Sequence, residues 1–375
     1  MILFILIKTF CLEEKKKSDS MRLIPTSNLL PGMILGKNLY DNHNSLLLKK
    51  GHALSEKEIR RIGNLRYQGL YIADDVLQEA EIPENTEDIN DVLRNNAVSA
   101  IRELFSIVSS QNMVMKKSFT VAQNAVGDIV EEIVLNKNAT YSMTDLKIFD
   151  DYTYFHSVNV TVIAVILGFA MGLSRTNLYK LGLGGLLHDI GKIFIPKEIL
   201  EKPGKLTDEE FGIIQKHSQK GYEYLKQMKD FPFESNLAVL THHEQYGGQG
   251  YPGGMKGEKI PLFGRILMVA DVFDALISDR PYRKALLPSD AVEYIVGGCG
   301  ILFDPTIVDV FIKKISPYPI GTHVILSNGL KGIVVSNRPG FGLRPKIRVS
   351  ASTGDAEFYD LSSGFFDVTI TEIAY

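Results

Sequence analysis

The chain is poor in cysteine: 375 residues contain two, Cys11 and Cys299. Two such thiols make neither a disulfide framework nor a thiolate zinc site, and both suit a reducing cytoplasm. An excess of positive charge is missing too. A formal net charge of -3 argues against a broadly basic surface that coats DNA or RNA polymers. A phosphate-bearing ligand would have to be met locally, by metal or by a few Lys and Arg. Neither of two apolar runs, residues 1–10 and 158–170, is long enough to span a bilayer. Residues 1–10 are apolar but Lys8 interrupts them, and no small-residue cleavage site follows. Residues 1–20 read either as a weak interfacial anchor or as an extension ahead of a true start at Met21, the second being favoured. Residues 158–170 are apolar but include Asn159 and Thr161, and read as a buried core helix. Internal repeats and low-complexity tracts are absent.

What is present is 45% hydrophobic and 23% charged, an ordinary globular make-up long enough for two or three domains. Residues 21–80 read as a small α/β N-terminal module. Leu30-Pro31-Gly32 is a turn entering a strand at 33–35, Leu46-Leu47-Leu48 a second strand, and Leu70-Tyr71-Ile72 a third. Ser55 with Glu58 forms a capping box that opens a helix with Ile59, Ile62 and Leu65 on one face. His43 and His52 lie in polar turn sequence and read as solvated. Residues 81–149 read as an acidic linker and lead-in helices. Leu93, Ala97, Ile101, Leu104 and Val108 recur at helical spacing, as do Ile129, Val130 and Ile133. Nothing alternates like a strand before about Ser316, so the middle of the chain is a helical bundle. Residues 316–375 change texture. Asn328-Gly329 between two short apolar runs signals a hairpin, and runs at 347–349, 356–358 and 368–370 complete an expected small β-barrel. Its Lys331, Arg338, Arg344, Lys346 and Arg348 either meet an anion or, as such a scatter more often does, form a solvated face.

The chemistry-bearing side chains gather in the bundle, at His156, His188-Asp189, His217, His242-His243 and Asp271. These five sites are about 25 to 32 residues apart, roughly one helix and its return, so separate helices can bring them to one point. Taken singly, each histidine is more often a satisfied core or surface residue than a ligand. Taken together they point to metal. Asp271 lies in the apolar run 266–273, where an unpaired carboxylate would cost several kcal/mol or be forced to protonate; coordination to a cation removes that penalty. His and Asp without Cys suit iron, manganese or zinc. Seven side chains exceed the four of a tetrahedral site, and a bridged pair of ions accommodates them. Such a pair suits in-line displacement at phosphorus. After His242-His243-Glu244 comes a loop too rich in glycine to continue a helix, Gly247-Gly248 and Gly250-Tyr251-Pro252, where a ligand can approach the backbone closely.

His188-Asp189-Ile190-Gly191-Lys192, His242-His243-Glu244 and Gly250-Tyr251-Pro252 together resemble the HD-GYP branch of the HD metal-dependent phosphohydrolases. The match covers residues 150–315, and the segments around His156, His217, Asp271, Arg280-Pro281-Tyr282-Arg283 and Phe303-Asp304-Pro305 are similar to that family as well. The resemblance implies a mainly α protein with a central all-α HD-type bundle. It implies hydrolysis of the bacterial second messenger cyclic di-GMP to linear pGpG, and often on to GMP, in the cytoplasm, with a homodimer as one assembly and no membrane span. Two divalent ions are implied, iron or manganese first and zinc, nickel or cobalt as alternatives. Their ligands would be His156, His188, Asp189, His217, His242, His243 and Asp271, with Asp189 bridging. Lys192 would lie by the scissile phosphate, and Tyr251 would stack on a guanine. Arg280 and Arg283 would face phosphates and bases, ion pairing with Asp274 and Asp279 being their alternative use. Two positions depart from the family. Tyr152, next to Asp151, stands where members with a third metal carry Glu, and Gly247 stands where many carry Asp. Two rival readings remain: hydrolysis of another cyclic dinucleotide such as cyclic GMP-AMP, and a sensor that binds but scarcely cleaves. The outer modules would tether, regulate or dimerise the bundle.

Overall fold

The computed structural model describes residues 21–40, 46–64, 67, 69–73, 91–109, 115–136, 141–142, 152–278, 286–318, 320–338, 340–350 and 356–373. The expectations for residues 1–20, His43, Asp151, Asp279, Arg280 and Arg283 lie outside these.

The N-terminal module holds β1 (Met21–Pro25), β2 (Leu39–Tyr40), β3 (Leu46–Leu48), α1 (Glu56–Asn64) and β4 (Gly69–Ala73). β1 pairs antiparallel with β4 and β2 with β3. The strand expected at 33–35 is reduced to isolated bridges, Ile34 to Ala53 and Leu35 to Ile72. Ser55 and Glu58 do cap α1: the Ser55 amide donates to Glu58 Oε2 at 2.8 Å and the Glu58 amide to Ser55 Oγ at 3.3 Å. His52 is not simply solvated; its Nε2 lies 2.9 Å from Glu58 Oε1 and joins that cap.

The chain then becomes helical: α2 (Asp91–Ser109), α3 (Met115–Leu135), α4 (Tyr152–Ala170), α5 (Arg175–Leu187), α6 (Lys197–Leu200), α7 (Asp208–Lys226), α8 (Phe233–Thr241), α9 (Leu262–Leu276), α10 (Pro288–Gly297) and α11 (Pro305–Lys314). One apolar core joins all of them but α6, which has no buried residue. Ile101 and Leu104 of α2, Val126 and Ile129 of α3, Val162 of α4, Leu186 of α5 and Leu267 of α9 are all within it. α4 is apolar on every side, which is tolerable only where neighbours cover every side. Its Thr153–Ala170 stretch has the length and composition to cross a membrane, yet is 72% buried inside the molecule; it is a core helix. Glycines let α5 approach its neighbours. A Cβ on Gly182 would meet Val126 Cγ1 at 2.7 Å, and one on Gly185 would meet Thr161 Cα at 3.2 Å.

A two-residue parallel pairing of β5 (Tyr141–Ser142) with β6 (Ile315–Ser316) marks the end of the bundle. Beyond it β7 (His323–Leu326), β8 (Lys331–Ser336), β9 (Lys346–Ser350), β10 (Ala356–Asp360) and β11 (Ile370–Ile373) form one antiparallel sheet in the order β10-β9-β8-β7-β11. The Asn328-Gly329 hairpin joins β7 to β8 as expected. Among the described residues the expected barrel is not closed: β10 and β11 are the two edges and do not pair. Closure requires the first and last strands to meet at a fixed stagger, and β11 is only four residues long with a register shift. Two of the scattered cations are structural. Arg344 donates to the carbonyls of Leu361 (2.6 Å), Phe365 (2.8 Å) and Val368 (3.2 Å), and Arg338 pairs with Asp360 at 3.1 Å.

Candidate metal centre

Helix ends build the centre. α5 stops at His188 and α8 at His242. Each delivers its ligand-type residue where the helix gives out, and the partial negative charge of a helix C-terminus favours a cation there. α4 contributes His156, α7 His217 and α9 Asp271. His156, His188, Asp189, His217, His242 and Asp271 are buried, while the His243 side chain keeps 22% of its surface and Lys192 30%. The open side of the centre is therefore the His243–Lys192 side.

The ring nitrogens sort into two kinds. Nδ1 of His188, His217 and His242 lies 2.7, 2.8 and 2.7 Å from the carbonyls of Gly185, Ile214 and Val239. A carbonyl only accepts, so each Nδ1 carries the proton and each Nε2 is left with a bare lone pair. Those lone pairs turn toward one another: His217 Nε2 and His242 Nε2 are 3.2 Å apart. Burial lowers the pKa of His217 and His242 and pushes His243 down to about 3, so no proton bridges the lone pairs at neutral pH. His188 Nε2 and Asp189 Oδ1 are buried without a hydrogen-bond partner. Converging lone pairs with no donor between them are the environment a cation satisfies.

Asp189 faces two ways. Its Oδ2 lies 3.3 Å from His188 Nε2 and 3.9 Å from His156 Nε2, and its Oδ1 3.4 Å from His217 Nε2. Asp271 reaches His156 Nε2 at 3.1 Å through Oδ1 and His243 Nδ1 at 3.8 Å through Oδ2. Three overlapping triads result, each with ligand atoms within 4.8 Å of one another: His217, His242 and His243; His156, His188 and Asp271; His188, Asp189 and His242. The residues present thus fit a metal. Burial opposes ionisation of both carboxylates, but the cationic and donor neighbours outweigh it. The Lys192 ammonium holds Asp189 well below its ordinary range, and His156 holds Asp271 there. Lys192, in the 3-10 turn Ile190–Phe194, places its ammonium 2.5 Å from Asp189 Oδ2.

The loop after His243 is fixed by Glu244, a buried carboxylate that sequence reasoning left without a role. It accepts the amides of Gly253 at 2.6 Å and Met255 at 2.9 Å. Gly250 crosses so close to the chain that a Cβ would sit 2.2 Å from the Gln245 amide nitrogen. The loop lays Tyr251 against His243, ring centroids 4.7 Å apart. Burial and the nearby Asp271 raise the Tyr251 phenol, which stays neutral. Gly247 has its own reason to be glycine: its amide donates to the Ile301 carbonyl at 2.7 Å, and a Cβ would lie 3.0 Å from that oxygen. Asp274 was also missed. It is fully buried, and its Oδ2 takes the Nδ1 proton of His156 at 2.8 Å. Burial works against protonating His156, but Asp271 and Asp274 outweigh it and raise its pKa. The available signal was spacing, since Asp271 and Asp274 are three apart and share one helix face.

The family model described as HD domain matches residues 128–307. The chain carries an HD domain. Its His188-Asp189 and Gly250-Tyr251-Pro252 motifs resemble those of the HD-GYP branch. It is 38% identical over 228 residues to a cyclic di-GMP phosphodiesterase of Pseudomonas aeruginosa, covering 61% of this chain and 55% of that protein. It is 32% identical over 221 residues to a cyclic di-GMP phosphodiesterase of Thermotoga maritima (59% and 57% covered). It is also 36% identical over 191 residues to 3'3'-cGAMP-specific phosphodiesterase 1 of Vibrio cholerae (50% and 43% covered). The chain spans about half the length of these curated relatives.

Proposed function

We propose that the HD domain is a metal-dependent phosphodiesterase that hydrolyses cyclic di-GMP to linear pGpG in the cytoplasm. The observation that carries this reading is the two-faced Asp189 carboxylate among converging, unprotonated Nε2 atoms, with the nearest lysine and the Tyr251 loop on the open side. Two divalent ions, iron or manganese, would be held by His156, His188, Asp271 and one oxygen of Asp189 on one side, and by His217, His242, His243 and the other oxygen on the other. When bound they would supply a water of lowered pKa and Lewis-acid stabilisation of the phosphoryl oxygens. The chain's own residues do the rest. Lys192 presents a point charge to the non-bridging oxygens as negative charge builds. Tyr251, neutral and seated on His243, offers a ring face to a guanine. Water adds at phosphorus, the bond to the ribose 3′-oxygen breaks, and a 5′-phosphate and a 3′-hydroxyl remain. Arg280 and Arg283 are proposed to contact substrate on the strength of the family motif.

The similarity to a cGAMP-specific relative favours one second reading, the same chemistry on 3′3′-cGAMP. Chromatography of products from both dinucleotides, with one manganese-loaded preparation, decides between them. Formation of pGpG at the higher kcat/KM supports the first reading. Full metal occupancy and cyclic di-GMP binding with no cleavage would replace it with a sensor. Lys192→Met should lower kcat about a hundredfold with little change in KM, because its charge meets the developing anion more than the ground state. An unchanged kcat would remove Lys192 from the reaction.

A further inference from the structure

The carboxylate that orients His156 is itself held from outside the segment matched by the family model. We propose that Arg94, on α2, is a positioning residue of the metal centre. It fixes the Asn159 amide, and through it Asp274 and His156. This rests on the metal-dependent reading above.

The chain of contacts is continuous and buried. Arg94, 6% exposed, points Nη1 at Asn159 Oδ1, 3.4 Å away. Asn159 Nδ2 donates to Asp274 Oδ1 at 3.0 Å, and Asp274 Oδ2 receives His156 Nδ1 at 2.8 Å. The chemistry of the two ends sets its direction. A guanidinium only donates and an ionised carboxylate only accepts, so an amide between them is satisfied in one orientation. Flipped, its oxygen would face the carboxylate and its NH2 the guanidinium. Arg94 therefore selects the rotamer in which Asn159 donates to Oδ1. That leaves Oδ2 to take the His156 Nδ1 proton, and His156 Nε2 is directed at Asp271 and Asp189. α2 also packs on the 3-10 turn that carries Lys192. The matched segment begins at residue 128, so this helix reaches the centre from outside it.

The test reads metal, not turnover. Dissociation constants for Mn2+ are measured on metal-depleted full-length protein by competition with a chromogenic chelator, together with the unfolding midpoint of the metal-free form. Arg94→Met should weaken Mn2+ about tenfold or more, the range seen when the group behind a ligating histidine is lost. Asn159→Leu should do the same, and the double variant should be little worse than either, as links of one chain are not additive. Arg94→Lys, which keeps one donor toward the amide oxygen, should recover most of the affinity. A merely structural arginine would lower the unfolding midpoint and leave Mn2+ affinity alone. Wild-type Mn2+ affinity in Arg94→Met, or losses that simply add, would overturn the proposal. Should Arg94→Met fail to fold, wild-type affinity in Asn159→Leu overturns it equally. Absence of Mn2+ binding by the wild-type protein would instead sink the metal-dependent reading itself.

Discussion

On the phosphodiesterase reading, Asp189→Ala is expected to fold, to bind manganese far more weakly, and to hydrolyse cyclic di-GMP at least about a thousandfold more slowly. The size follows from geometry. Losing a group behind a ligand costs about 10- to 100-fold in affinity or activity, and Asp189 is the group that both halves of the centre share. Its Oδ2 faces His188 and His156 while its Oδ1 faces His217. Alanine leaves imidazole lone pairs facing one another across a gap, with Asp271 the remaining carboxylate among the ligand-type residues to offset a bound cation. Asp189→Asn keeps the shape but removes the charge and replaces one oxygen with a donor that repels a cation. Both variants should show the same deficit in metal content by mass spectrometry. The metal-free variants should unfold near the wild-type midpoint, because Leu186, Leu187 and Ile190 remain packed. Full metal content with an unchanged rate in either variant would remove Asp189 from the shared position.

The lead-in helices were legible because Leu93, Ala97, Ile101 and Leu104 recur at helical spacing, and the rest of the bundle because nothing in it alternates like a strand. The structure adds a reciprocal Thr207–Glu210 box at the start of α7, unread in the sequence, and His217 follows on the same helix. The convergence of residues as distant as His156 and Asp271 followed from one such residue per helix. What stayed hidden was whatever depends on partners in three dimensions. The strands of the C-terminal sheet could be read from short apolar runs, but closure could not, because strand pairing at the edges leaves no local pattern. β1 escaped notice because its paired residues 21–25 acquire meaning only opposite β4. Arg344 looked like any exposed cation until three carbonyls appeared around it. Asp274 and Glu244 were visible as letters in known motifs, yet their roles depend on which atoms they face.

The second large effect is expected at Gly191, whose side-chain-free surface sets how near the His188-Asp189 turn lies to α7. Gly191→Ala should destabilise the metal-free protein by about 3 kcal/mol or more, at the upper end for an overpacking substitution, and should weaken metal binding as well. A Cβ there would lie 1.9 Å from the His217 carbonyl oxygen and 2.6 Å from the Gly221 amide nitrogen. Both are backbone atoms of a capped helix, so neither can swing aside as a flexible side-chain tip could. The turn must instead back away from α7. That displacement carries Asp189 and Lys192, two and one residues from the new methyl, away from His217. Stability and metal affinity should therefore fall together. Gly212→Ala serves as the control on the same helix. Its Cβ would meet nothing within 4 Å, and replacing a mid-helix glycine by alanine should stabilise by about 0.5 to 1 kcal/mol. Urea unfolding of both metal-free variants, beside manganese titration, separates the cases. Gly191→Ala with a wild-type midpoint and wild-type metal affinity would mean that the turn and α7 are not in backbone contact.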